Sequence, residues 1–247
     1  MITKTDFIAQ ERWDQGYEKL ALQVAPPDDP IRRWLQKYIP RGTGTCLEFG
    51  CFPGRYLAVL GEFGYEVNGI DLTPRLERDL PNWMRAQGYR TGQFIQADVF
   101  THQFEKTYDV VCSFGLIEHF AQWPELVERH ASLVRPGGWL ALSTPNFRGA
   151  LQQGLHRWLD SVNLAEHNLE AMQPRLWAER VKRLGLEVVM CGHLGPFDFW
   201  VGSQPRSFFQ QTSLKVILRL KRIGRLLPDD VGLYAPYCGL IARKPAA

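Results

Sequence analysis

The chain has 247 residues, 45% of them apolar and 22% charged, with a formal net charge of +3. That length fits one α/β domain with additions or two small domains, and that composition excludes a disordered or fibrous chain. No run of about 18 apolar residues occurs, which excludes a membrane-spanning helix. Met1-Ile2-Thr3-Lys4-Thr5-Asp6 has no apolar signal core. Cys46, Cys51, Cys112, Cys191 and Cys238 form no CxxC pair. They read as reduced thiols of a cytoplasmic protein and not as a zinc site.

Residues 4–22 read as a helix, with Phe7, Ile8, Trp13, Tyr17 and Leu20 as its expected buried positions. After the Pro26-Pro27 break, Asp29 is placed to cap a second helix that has Pro30 at its first position and runs to about Tyr38. These elements, residues 1–40, are expected to form a helical cap, and residues 41–247 the main domain. Alternation then begins. Strands are predicted at 45–49, 66–71, 93–97, 108–114 and 139–143, with helices at 55–63, 74–87 and 124–134 between them. Such alternation predicts βαβ units, a parallel sheet and helices on both faces. Residues 147–173 read as short helices, 175–184 as a helix, 186–191 as a strand, 202–230 as an insertion and 233–243 as a final strand.

The most informative stretch is Cys46-Leu47-Glu48-Phe49-Gly50-Cys51-Phe52-Pro53-Gly54. A buried strand carrying an acidic residue runs into a glycine-containing turn and a helix. Glycine lets backbone approach a ligand closely, and the helix start offers unpaired N–H groups. Glu48 can accept a hydrogen bond from an ammonium group, which a dinucleotide lacks. The plain alternative is a tight turn that binds nothing. Asp71 ends the second strand, where an acidic residue hydrogen-bonds ribose hydroxyls in nucleoside-binding α/β folds. Asp98 follows the third strand and suits an adenine amino group, or caps a turn. A dehydrogenase would need Gly-x-Gly-x-x-Gly after the first strand, and this chain has Gly-x-x-x-Gly.

These residues resemble the class I S-adenosylmethionine-dependent methyltransferases, and most of all their small-molecule group that includes ubiquinone-biosynthesis enzymes. The resemblance covers residues 40–200 and the last strand. The family's acid-x-Gly-x-Gly-x-Gly motif falls on Glu48, Gly50, Phe52 and Gly54, with Phe52 in place of the middle glycine. Leu133-Val134-Arg135-Pro136-Gly137-Gly138 matches the turn before strand five. The resemblance implies a Rossmann-like, seven-stranded, mostly parallel sheet with an antiparallel last strand. It also implies S-adenosylmethionine as cofactor and S-adenosylhomocysteine as product. Cofactor contacts then fall on Glu48, Gly50, Cys51, Phe52, Gly54, Asp71, Leu72, Asp98, Val99, Ser113 and Phe114.

Methyl transfer from a sulfonium is an in-line displacement with a neutral leaving group, so alignment of the acceptor is the main requirement. A general base adds about 10²–10⁴-fold when the acceptor is a hydroxyl. His119, in Glu118-His119-Phe120 just past the fourth strand, is the candidate base, with packing on Phe120 as the other reading. Related families carry Glu-x-x-Glu-His as a magnesium site. Here the first position is Gly115, so no essential metal is expected. Tyr17, Glu118, Asn146, His167 and Asp198 are the candidate acceptor contacts. Asp160, Asn163, Asn168 and Met172 surround His167 in sequence, either lining an acceptor pocket or decorating a solvated helix.

The expected reaction is methylation of a small-molecule or glycan acceptor at oxygen. Transfer to nitrogen or carbon, or a non-catalytic domain that binds cofactor or a partner, stays open. Between Asp198 and Asp229 there is no acidic residue, whereas Arg206, Lys215, Arg219, Lys221, Arg222 and Arg225 are all basic. That window carries +6 and leaves −3 on the rest of the chain, which argues against general nucleic-acid binding. A helical wheel over 214–227 puts Val216, Ile217, Leu220, Ile223 and Leu227 on one side and Lys215, Arg219 and Arg222 opposite. Such a basic amphipathic helix suits either contact with a membrane surface or docking on its own domain.

Overall fold

A computed structural model describes residues 7–18, 20–224 and 226–246. Residues 4–6 and Lys19 of the expected first helix and Arg225 of the basic window lie outside the described residues. The elements in chain order are α1 (Gln10–Tyr17), α2 (Pro30–Tyr38), β1 (Thr45–Phe49), α3 (Arg55–Glu62), β2 (Glu66–Asp71), α4 (Asp79–Ala86), β3 (Thr91–Gln96) and β4 (Tyr108–Phe114). Then follow α5 (Trp123–Ser132), β5 (Val134–Pro145), α6 (Ala150–Leu159), α7 (Ser161–Ala165), α8 (Pro174–Arg183), β6 (Glu187–Leu194), α9 (Phe208–Gly224) and β7 (Tyr237–Arg243).

The strands form a seven-stranded sheet in the order β3-β2-β1-β4-β5-β7-β6. The pairs from β3 to β5 are parallel, and β7 runs antiparallel to both β5 and β6. This is the sheet that the alternation and the resemblance predict. Side-chain period two assigns the faces. Cys46, Val110, Cys112, Ala141 and Ile241 face α2, α3 and α4. Leu47, Phe49, Val111, Leu140 and Leu142 face α5 and α8.

Several boundaries differ from the sequence reading for identifiable reasons. The helix expected over 74–87 splits into a 3₁₀ turn at Pro74–Leu76 and α4. Pro81 has no N–H and fits only the first helical turn, so the α-helix starts at Asp79. The last strand starts at Tyr237 instead of Leu233, directly after Pro236. Strand β5 spans Val134–Pro145 and absorbs the Arg135-Pro136-Gly137-Gly138 turn. Asp109 anchors that turn: it accepts from the Thr45 N–H at 2.8 Å and from Arg135 Nε at 2.6 Å. Asp29 caps α2 as expected, accepting from the N–H groups of Ile31 and Arg32.

Helices α1 and α2 differ in burial. Helix α2 buries Ile31, Trp34 and Leu35 in the layer beneath the sheet. Helix α1 is shorter than the expected 4–22 and buries no residue. Phe7 and Leu20, expected in the core, are exposed. The insertion helix is also shifted. It runs over 208–224 and docks through Leu214, Ile217 and Gly224 against Leu155, Phe197 and Val201. Val216, Leu220 and Ile223 of the predicted apolar stripe stay exposed.

Candidate active site

A cavity of about 660 Å³ opens at the carboxyl ends of β1, β2 and β4, a size common for small-molecule sites. Ligands bind at this edge of open α/β sheets because strand order reverses there. Gly50, Phe52 and Pro53 supply one wall from the β1–α3 turn. Asp71, Leu72, Asp98, Val99 and Phe114 line it from the ends of the next strands.

The turn is built around Asp71. Its Oδ2 accepts from the Phe52 N–H at 3.0 Å and its Oδ1 from the Thr73 N–H at 3.0 Å. The N–H groups of Gly50 and Cys51 both donate to the Ile70 carbonyl. Gly54 caps α3 with φ +81°, and a Cβ there would lie 2.4 Å from Leu80 Cδ1. No other residue type gives both that backbone conformation and that closeness. The Phe52–Pro53 peptide is cis. Where the family pattern has a glycine, the Phe52 ring stands 4.8 Å from the Tyr17 ring and 4.8 Å from the Arg75 guanidinium. Burial pushes the Asp71 carboxyl upward, and its backbone hydrogen bonds work against that rise.

The donor set fits S-adenosylmethionine. Glu48 is buried on β1 and its Oε2 has no hydrogen-bond partner. Burial, then the charge of Asp71, pushes its pKa well above the carboxylate range. A ligand ammonium would both satisfy that oxygen and bring the charge back. Asp71 lines the cavity, where its carboxylate can accept from ribose hydroxyls. Asp98 also lines the cavity while its Oδ1 accepts from the Phe100 N–H at 2.8 Å. Asp98 thus caps a turn and faces the cavity at once.

Helix α1 lies across the cavity and presents Gln10, Trp13 and Tyr17, one face at i, i+3 and i+7. The Tyr17 hydroxyl is pushed up by burial and by Asp71, with Cys51 and Glu48 adding to it. The helix is held at its edges. Arg75 donates to the Tyr17 carbonyl, Arg12 pairs with Glu166, and the Phe7 N–H donates to the His119 carbonyl at 2.8 Å.

Glu118, His119 and His167 gather beside the cavity, their ligating atoms within 4.8 Å of one another. His119 Nδ1 bonds the Glu166 carbonyl and His167 Nδ1 the Asn163 carbonyl. Both rings thus turn a lone pair on Nε2 inward, as metal-bound histidines do. Two imidazoles and, once Glu118 gives up its proton, one carboxylate are a donor set that could hold a divalent cation. His167 is a third possible ligand that the linear Gly115-x-x-Glu118-His119 motif did not show. Burial, then His167, pushes His119 down to about 3, and burial pushes Glu118 up to about 8. Nε2 of His119 is 3.8 Å from Glu118 Oε1. His119 is buried and does not line the cavity. Trp13 stands edge-on to it at 4.9 Å and lines the cavity in its place.

Other candidates lie elsewhere. Asn146 spends its amide on the Gly232 and Ala235 carbonyls and its Oδ1 on the Gly149 N–H. Asp198 pairs with Lys221 at 2.5 Å on α9. Cys51 turns its thiol onto β2, where a Cβ on Gly69 would lie 2.3 Å from it. Ser113 is buried in β4 with its hydroxyl unpartnered, away from the cavity lining. Asp160 and Asn163 form a buried lock with His156 and Arg206, and Met172 belongs to the core. Gln122 and Glu125 do line the cavity. No motif marked them, because they reach it as the start of α5 turns over the β4 end.

The methyltransferase domain family matches residues 11–190 of this chain. Among curated relatives, the ubiquinone biosynthesis O-methyltransferase of Paraburkholderia xenovorans is 29% identical over 147 residues, 59% of this chain and 62% of that protein. The chain thus aligns with under two thirds of such a relative's length. A SAM-dependent methyltransferase from Archaeoglobus fulgidus superposes with TM-score 0.55 at 20% identity, covering 87% of this chain and 93% of that one. The N-methyltransferase NodS of Bradyrhizobium japonicum, in complex with S-adenosylhomocysteine, gives TM-score 0.50 at 14% identity over 99% of this chain and 90% of that one. At these identities the solved structures speak to the fold.

Proposed function

The chain belongs to the methyltransferase domain family, and from that premise we propose that it transfers the methyl group of S-adenosylmethionine to a hydroxyl oxygen of a small acceptor. The observation that carries this reading is the set of three carboxylates at one sheet edge: Asp71 and Asp98 on the cavity wall, and Glu48 buried on β1 with its Oε2 unpartnered. The choice of oxygen draws on the O-methyltransferase relatives. Aromatic walls from Trp13, Tyr17, Phe52, Phe100, Phe114 and Phe120 favour a planar ring as acceptor over a glycan.

Bound S-adenosylmethionine supplies an electrophilic methyl group. The residues of this chain then have three tasks. Glu48, Asp71 and Asp98 hold the cationic nucleoside. Helix α1 covers the cavity and keeps water from it, leaving the acceptor aligned against the aromatic walls. His119 receives the acceptor proton: its ring is neutral at pH 7, with its lone pair on Nε2. Trp13, edge-on to His119 and stacked on Tyr17, must swing aside for this. Glu118 is protonated at pH 7. When it ionises near pH 8, a buried negative charge 3.8 Å from Nε2 strengthens His119 as a base.

Transfer of labelled methyl to a panel of hydroxylated aromatic rings, amines and monosaccharides tests the proposal. Hydroxylated rings are expected to be methylated, with turnover rising between pH 7 and 9. His119→Ala should lower turnover by about 10²-fold and leave S-adenosylhomocysteine affinity within twofold, roughly. Glu118→Gln should flatten the pH rise. Methylation of amines alone would contradict oxygen as the target, and a loss of only a few-fold in His119→Ala would remove its role as base.

A further inference from the structure

Helix α9 presents two different surfaces. One face docks on the domain, and Lys221 clamps it to Asp198. At about 100° per residue, Phe209, Val216, Leu220 and Ile223 fall on a neighbouring face. Phe209 is 79% exposed, Ile223 63% and Leu220 50%. Four large apolar side chains at i, i+7, i+11 and i+14 are therefore held in solvent on a helix that is already docked. Beside them, on the side away from the domain, stand Lys215, Arg219 and Arg222. Among the described residues none of these three has an acidic partner, and no acidic residue occurs between Asp198 and Asp229.

We infer that this face of α9 docks on an anionic lipid bilayer. An apolar stripe flanked by cations, lying along a helix about 25 Å long, has the form of an interfacial helix that sinks into the headgroup boundary. Charge selects the occupant. The chain outside the basic window sums to −3, so the net attraction to an acidic surface comes from that window and turns this side of the molecule toward it. A second copy of the chain fits worse. Two-fold pairing through the same face would set Lys215, Arg219 and Arg222 against themselves. The inference stands on the surface of α9 and not on the chemistry of the cavity, so its test reads binding alone.

Co-sedimentation of the full chain with vesicles of phosphatidylglycerol and phosphatidylcholine, against vesicles of phosphatidylcholine only, provides that test. Binding to the anionic vesicles is expected at low salt, with loss as salt shortens the Debye length to about 3 Å near 1 M. Replacing Lys215, Arg219 and Arg222 together with Gln should weaken it about a hundredfold, three surface cations' worth. Leu220→Ser with Ile223→Ser should weaken it about tenfold or more with an unchanged melting temperature, since both side chains are already exposed. Three results would overturn the inference: no sedimentation with anionic vesicles, equal sedimentation with neutral ones, or a dimer in light scattering that the Leu220→Ser, Ile223→Ser variant dissociates.

Discussion

Asp160→Ala is expected to destabilise the fold by about 3 kcal/mol, the low end of the cost of removing one member of a buried ionic cluster, because Arg206 keeps part of its side chain in water. Asp160 is wholly buried at the α6–α7 junction. Its oxygens accept from Asn163 Nδ2 at 2.8 Å, from the Gly202 N–H at 3.0 Å and from Arg206 Nη2 at 3.2 Å. His156 Nδ1 lies 3.3 Å away and is itself buried. The alanine would leave an arginine and a histidine facing an apolar hole. For a chain of this length the melting temperature should fall on the order of 10 °C. The pH dependence has a definite sign. Burial alone would raise the Asp160 pKa, but His156, then Asn163 and the Gly202 N–H, hold it below the usual range. A depressed carboxylate contributes stability that is complete above its unfolded pKa of about 4 and is lost as pH falls through the folded value. The wild-type melting temperature should therefore drop below about pH 4 more steeply than that of Asp160→Asn. A melting temperature in Asp160→Ala within about 2 °C of wild type would contradict the lock.

The second large effect falls on the cofactor. Asp71→Ala should weaken S-adenosylhomocysteine binding about a hundredfold or more. Hydrogen bonds to a charged group contribute about 1.5–3 kcal/mol each, and two ribose contacts together pass that threshold. The substitution also frees the Phe52 and Thr73 N–H groups that shape the turn. Asp71→Asn separates the two roles. It retains one acceptor oxygen for the turn and loses the charge, so its affinity should lie between those of Asp71→Ala and wild type. Calorimetric titration of the three proteins checks the order. Equal affinities would remove Asp71 from the site.

The sheet was legible because its signals are local and periodic. Apolar runs such as Tyr108–Phe114 and turns such as Gly50–Gly54 each fix one strand end, and strand ends are where the cavity lies. Asp71 and Asp98 could be placed because one ends a strand and the other lies two residues past one. The lid was harder to read. Trp13 and Tyr17 have the spacing of a core face, but α1 meets a cavity instead of a sheet, so the same pattern lines a site. Asn146 and Asp198 are polar residues at strand ends too, yet backbone groups and Lys221 use them up. Only tertiary contacts separate those two outcomes. Likewise His167 lies 48 positions from His119, and nothing short of the fold brings their rings to 4.5 Å. The basic helix shows the same limit from the other side. Its apolar residues were visible, but which of them meet the domain depends on where Phe197 and Leu155 sit.

The central claim is that the cavity under α1 is a nucleoside site for a sulfonium cofactor. Isothermal titration of the full chain with S-adenosylhomocysteine, followed by competition with adenosine and with NAD, tests it most directly. The expected result is a single saturable site with a dissociation constant of about 100 μM or tighter, displaced weakly by adenosine and not at all by NAD. No binding heat at millimolar ligand, or displacement by NAD as effective as by S-adenosylmethionine, would contradict the assignment of Glu48, Asp71 and Asp98.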